Sequence, residues 1–130
     1  MEEKSAHAPR INGFSAAVNR CARGPLDLNA LLARNPSATF FARMSGDSMA
    51  GEGIFDGDLL VIDRSLAPAD GDIVVAYAGG EFVARRFRRV AGGARLEPWE
   101  GRGGGLAFPD ESGIDLFGVV TASIRRFSRK

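Results

Sequence analysis

The sequence predicts a mainly β fold with one or two short helices and a flexible N-terminal arm. Three observations predict it. From residue 39 onward, short apolar runs recur between clusters of Gly, Pro and Asp. The one clear helical period is a brief segment just before them. Residues 1–25 hold Pro9, Gly13, Gly24 and Pro25 among scattered charge, with no sustained period, and such a segment cannot bury enough surface to fix itself. A chain of 130 residues accommodates one domain and a tail, and a domain of this size needs no metal or disulfide to complete its core. The division expected is an arm over residues 1–25 and a β domain over residues 26–130.

The elements follow in chain order. The arm carries Ile11, Phe14 and Val18 as its apolar points. In Leu26–Pro36, Asp27 is the expected N-cap, Leu28, Leu31 and Leu32 fall on one face, and Asn35-Pro36 ends a helix of about two turns. Strands are predicted over Thr39–Met44, Leu59–Asp63, Asp72–Tyr77, Glu81–Val90, Ala94–Glu97 and Ile114–Phe127. Gly79-Gly80 fits a two-residue hairpin turn, which requires positive φ. Gly101–Gly105 reads as a flexible loop, and no Gly-Lys-Ser/Thr follows it to make a phosphate cradle. The units Asp56-Gly57-Asp58 and Asp70-Gly71-Asp72 each lead into an apolar strand and read as turns. Calcium would need more oxygen ligands at alternate spacing and a distal Glu, and the pattern breaks at Leu59.

Composition excludes several classes. The net charge of +1 argues against a protein that depends on attraction to nucleic acid or anionic lipid. No run approaches the ~20 apolar residues of a membrane span. The first twenty residues lack a signal-peptide apolar segment, so the expected compartment is the cytoplasm. Cys21 is the only cysteine and cannot form an internal disulfide, and a single Cys with a single His, His7, makes a poor zinc site. Of the 17 basic residues, two are lysines, Lys4 and Lys130, and the other fifteen are arginines. A mechanism that needs a lysine within the folded body is therefore hard to build.

Two segments carry chemistry. Ser45-Gly-Asp-Ser-Met49 follows a strand, and a serine in a Gly-flanked turn there can be exposed beside backbone N–H groups. Gly-Asp-Ser triplets are also common in ordinary turns. In Glu81–Val90, alternation puts Val83, Arg85 and Phe87 on one face and Phe82, Ala84, Arg86 and Arg88 on the other. Arg85 then sits between apolar neighbours on the face with the better claim to the core, where a charge is paired or used. The competing reading is an arginine that snorkels at a sheet edge. The other arginines of the run read as a solvated face or a patch for an acidic partner.

The ordered motifs Ser-Gly-Asp-Ser-Met, Gly-Asp-Leu-Leu-Val-Ile-Asp, Gly-Asp-Ile-Val-Val-Ala, Gly-Glu-Phe-Val-Ala-Arg-Arg-Phe and Asp-Leu-Phe-Gly-Val-Val resemble the LexA/UmuD family, the self-cleaving serine peptidases of the bacterial SOS response (peptidase family S24). The likeness runs from about residue 12 to the C-terminus and is strongest to the UmuD branch, the accessory subunits of error-prone polymerases. It implies the β fold of the LexA/UmuD C-terminal domain, a homodimer and a Ser/Lys dyad without cofactor. Ser48 takes the place of the nucleophile, and the backbone N–H groups of Asp47 and Ser48 that of the oxyanion site. The arm becomes the substrate, cut at Asn12-Gly13, where Asn12 departs from the small residue or Cys usual in the family. The implied partners are the RecA filament on single-stranded DNA and a Y-family DNA polymerase in translesion synthesis. Sequence-specific DNA binding and membrane association are not implied.

The main departure is the base, because the family lysine aligns with Arg85. A buried lysine can be neutral near physiological pH, whereas arginine stays protonated and cannot accept the serine proton. Lys4, Lys130 and His7 are badly placed to replace it. Cys21 lacks a positioned base and reads as a free thiol. Two expectations follow. In one, the pair Ser48–Arg85 is disabled and the protein serves as a non-cleaving adaptor. In the other, weak self-cleavage persists through positioning and the oxyanion site. A LexA-type repressor would need a helix-turn-helix in the 38 residues before the β region, and a signal peptidase would need a membrane anchor; neither is expected.

Overall fold

A computed structural model describes residues 27–99 and 105–127. Chain contacts separate residues 1–34 from 35–130. In the first unit, α1 spans Leu28–Leu32, and Asp27 caps it by accepting from the N–H groups of Asn29 and Ala30. The cap is as expected, but the helix is shorter than expected. It closes at Ala33, whose N–H donates to Asn29 O, three residues before Pro36. Pro36 instead opens a 3-10 turn, Pro36–Ala38, because its fixed φ suits a first helical position and it has no N–H to lose.

The second unit is a seven-stranded antiparallel sheet: β1 (Thr39–Arg43), β2 (Leu59–Asp63), β3 (Ile73–Ala78), β4 (Glu81–Val90), β5 (Gly93–Glu97), β6 (Leu106–Phe108) and β7 (Asp115–Ile124). The order across the sheet is β1-β2-β7-β3-β4-β5-β6. Strand β7 is central, though last in sequence, and pairs with both β2 and β3. The hairpin β3–β4 closes through Gly79 and Gly80, at φ 61° and 87°. Both lie in the left-handed region that such a turn requires. The mainly β fold is as predicted, and one strand of three residues, β6, was not anticipated.

Two hydrophobic clusters form, and the central strands feed both. One holds Met44, Met49, Ile54, Leu60, Ile62, Val75 and Ala84. The other holds Val74, Ala76, Phe87, Ala94, Leu96 and Val119. In β3, Val74 and Val75 go to different clusters, as alternation of side chains dictates. The same holds in β4, where Ala84 joins the first and Phe87 the second. The expectation of one core-facing side on β4 is thereby corrected: both its faces are covered near Arg85, and Val83 and Arg85 are half-buried.

Candidate active site

The site begins where β1 ends. Met44 N–H donates to Asp58 O and Gly57 N–H donates to Met44 O, both at 2.8 Å, so the segment between them leaves and returns at one point. Within it, Gly46 turns the chain at φ 90° and donates its N–H to Asp56 Oδ1 at 2.8 Å. Met49 is fully buried and anchors the far side of the turn in the first cluster. A 3-10 turn, Ala50–Glu52, follows. The backbone N–H of Trp99 donates to Ser48 O at 3.1 Å, and the Trp99 ring packs against Gly51, where an added Cβ would stand 2.3 Å from Cδ2 and Cε3. Asp58 supports the base of the loop. It accepts Phe55 N–H at 2.9 Å and holds Arg125 by Nε–Oδ1 at 2.9 Å and Nη2–Oδ2 at 3.2 Å. Asp58 is buried, and the Arg125 bonds, with the Phe55 bond after them, hold its carboxyl below the usual range.

This frame sets Ser48, half-buried, beside β4. Arg85 Nη1 donates to Ser48 Oγ at 3.0 Å and to Ala84 O at 2.8 Å. The two side chains singled out from positions 37 residues apart are therefore hydrogen-bonded. A cleft of about 250 Å³ opens beside them. Its polar lining is Arg43, Ser45, Ser48, Glu81 and Arg85, and its apolar lining includes Met44, Leu60, Val75 and Phe82. Asp47 is exposed within the turn. Asn12 and Gly13 lie outside the described residues, as do Lys4, His7, Cys21 and Lys130.

Chemically, the arrangement presents a hydroxyl held by a cation. A guanidinium has five N–H donors and no acceptor, so it cannot take the hydroxyl proton. Arg85 can fix the Ser48 rotamer and raise local positive charge, but it cannot serve as the base. Of the neighbouring arginines, Arg88 and Arg89 are exposed, which fits the solvated face read from sequence. Arg86 pairs with Glu52, Arg89 pairs with Glu111 at 2.5 Å, and Arg88 lies 3.8 Å from Glu97, whose closer partner is Arg95 at 2.9 Å. Sequence reasoning missed Trp99, Asp56 and the Asp58–Arg125 pair as parts of the site. The Asp-Gly-Asp unit was seen as a turn, but the 67-residue separation of Asp58 from Arg125 leaves no local pattern to find.

The Peptidase S24-like family matches residues 12–121. Protein SamA of Salmonella typhimurium is 41% identical over 117 residues, covering 88% of this chain and 79% of SamA. Protein ImpA of Escherichia coli is 42% identical over 114 residues, covering 88% and 77%. The LexA repressor of Cellvibrio japonicus is 45% identical over 65 residues, covering 50% of this chain and 32% of the repressor. With its β fold, its serine turn beside β4 and these likenesses, the chain belongs to the LexA/UmuD-like peptidase S24 family.

Proposed function

We propose that the protein is a UmuD-like SOS factor, a cytoplasmic homodimer that serves a Y-family translesion polymerase and meets the RecA filament, with self-cleavage of its arm impaired at the base. The observation that carries this reading is the 3.0 Å bond from Arg85 Nη1 to Ser48 Oγ. Family membership supports the rest, and among the described residues no helix is long and apolar enough to cross a membrane.

Cleavage at Asn12-Gly13 would require Ser48 Oγ to attack the Asn12 carbonyl carbon while its proton passes to a base. The backbone N–H groups of Asp47 and Ser48 would receive the developing oxyanion. With Arg85 in the base position the proton has no acceptor, and the Oγ stays a weak nucleophile. A lysine there, made neutral by partial burial, would supply one.

The test follows intact mass during incubation at neutral and alkaline pH, with and without the RecA filament on single-stranded DNA. The native chain is expected to stay whole or lose residues 1–12 very slowly. Arg85→Lys is expected to accelerate that loss by about 10²–10⁴-fold, the usual worth of a general base. Adding Ser48→Ala to Arg85→Lys is expected to abolish it. Rapid loss of residues 1–12 from the native chain, or an inert Arg85→Lys, would overturn the reading.

A further inference from the structure

We infer that Glu52 is a positioning residue: its pairing with Arg86 holds the serine turn on β4 and keeps Ser48 Oγ within hydrogen-bond reach of the side chain at position 85. The inference rests on the reading of Ser48 and position 85 as the nucleophile and base positions, and it gives that pair a determinant outside itself. The bonds from Met44 N–H to Asp58 O and from Gly57 N–H to Met44 O close the turn only at its base. Ser48 lies between them along the chain, so its approach to β4 is set by ties nearer to it. Backbone bonds make residues 47–54 one unit: Ala50 N–H donates to Asp47 O at 3.1 Å, Glu52 N–H to Met49 O at 2.9 Å, Gly53 N–H to Ala50 O at 3.0 Å and Ile54 N–H to Met49 O at 3.2 Å. A displacement imposed at Glu52 is therefore passed to Ser48.

The Glu52 carboxylate leaves this unit to pair with Arg86, the residue after Arg85 on β4. Arg86 is itself anchored, since its Nη1 donates to Gly71 O and its backbone lies opposite Ile73 in the β3–β4 ladder. One end of the pair thus belongs to the unit that carries Ser48, and the other to the strand that carries Arg85. The side chains of Glu52 and Arg86 are 23% and 21% exposed, against 46% and 47% for Glu111 and Arg89, so water screens this pair less than an open surface pair. Two other ties act near Ser48, and neither supplies the same restraint. The backbone N–H of Trp99 reaches Ser48 O from the segment after β5, not from β4. Met49 packs in the cluster that includes Ala84, but apolar packing is non-directional.

The test reads the approach of position 48 to Arg85 through a thiol instead of through cleavage. In the full chain, Ser48→Cys puts a sulfur in place of Oγ and Cys21→Ser leaves it the only thiol. The pH dependence of its alkylation by iodoacetamide gives the thiol pKa, expected at least about one unit below the ordinary value near 8.5 because a guanidinium within reach favours the thiolate. Adding Glu52→Gln is expected to raise it by about half a unit or more, as the turn drifts from Arg85. The direction is decisive: a Glu52 that acted only through its charge would, when removed, leave the site more positive and lower the pKa further. Arg86→Met is expected to give the same rise, and serves if Glu52→Gln does not fold. The double variant is expected to match either single one, whereas purely electrostatic effects of opposite sign would cancel in it. A starting thiol at the ordinary value, or no rise on Glu52→Gln or on Arg86→Met, overturns the inference. The outcome separates from the self-cleavage assay. An unmoved thiol with a cleaving Arg85→Lys removes only the role of Glu52. The expected rise with an inert Arg85→Lys removes only the disabled-peptidase reading.

Discussion

Gly51 has no side chain because Trp99 occupies the place where one would go. An added Cβ would stand 2.3 Å from two atoms of the indole and 2.7 Å from Cγ, a separation that real Cβ atoms do not sustain. Gly51→Ala must therefore push the ring or the Ala50–Glu52 turn aside, and either movement strains the bond from the Trp99 backbone N–H to Ser48 O. The expected cost is about 1–3 kcal/mol, the usual penalty for overpacking a well-filled site. Urea unfolding measures it, and Trp99, the only tryptophan, reports the same contact by fluorescence. A double-mutant cycle with Trp99→Leu is expected to show strong non-additivity, since removing the ring removes the clash. Additive effects would mean that the indole is not what keeps position 51 a glycine.

The loop that carries Ser48 is fixed at its base by an ion pair that reaches the end of β7. Asp58 is held in the charged form first by the side-chain bond from Arg125 and then by Phe55 N–H. Its folded pKa lies below that of the unfolded chain, near 3.9. The stability it contributes is therefore present above about pH 4 and is lost as pH falls through the folded value. Asp58→Asn is expected to lower the melting temperature at pH 7 and to flatten its fall below pH 4, read from thermal melts across pH 2–7. Some acid sensitivity is expected to remain, because Asp63, bonded by Ser65 and Asn35, and Glu111, bonded by Arg89, are lowered too. At this scale the strands were largely legible: β2 and β4 have the predicted bounds, and the others differ by one to three residues at their ends. The 3-10 turns and β6 escaped notice because three residues carry no measurable period. Ser48 and Arg85 were each visible locally, one in a Gly-flanked turn and one in an apolar strand, but neither pattern joins them. Their pairing was accessible through the family likeness alone, and Trp99 was not accessible at all.

The two hydrophobic clusters make separate demands on one sheet, and the strands they share decide whether the molecule unfolds in one step. Strand β3 gives Val74 to one cluster and Val75 to the other, and β4 does the same with Phe87 and Ala84. A strand cannot leave one cluster without stripping its alternate residues from the other, because successive side chains lie on opposite faces of the same backbone. Loss of packing around Phe87 should therefore be felt at the serine turn, whose Met49 sits in the other cluster. Phe87 is 1% exposed, and Phe87→Ala is expected to cost about 3–5 kcal/mol through lost burial and the cavity left behind. Unfolding is then followed by two probes: far-ultraviolet circular dichroism for the sheet, and the fluorescence of Trp99 for the turn around Ser48. The two midpoints are expected to coincide in the native chain and to fall together in Phe87→Ala, as two-state behaviour requires. If circular dichroism moved while the Trp99 midpoint stayed in place, the serine turn and its cluster would form a cooperative unit of their own, and β3 and β4 would not couple the two faces.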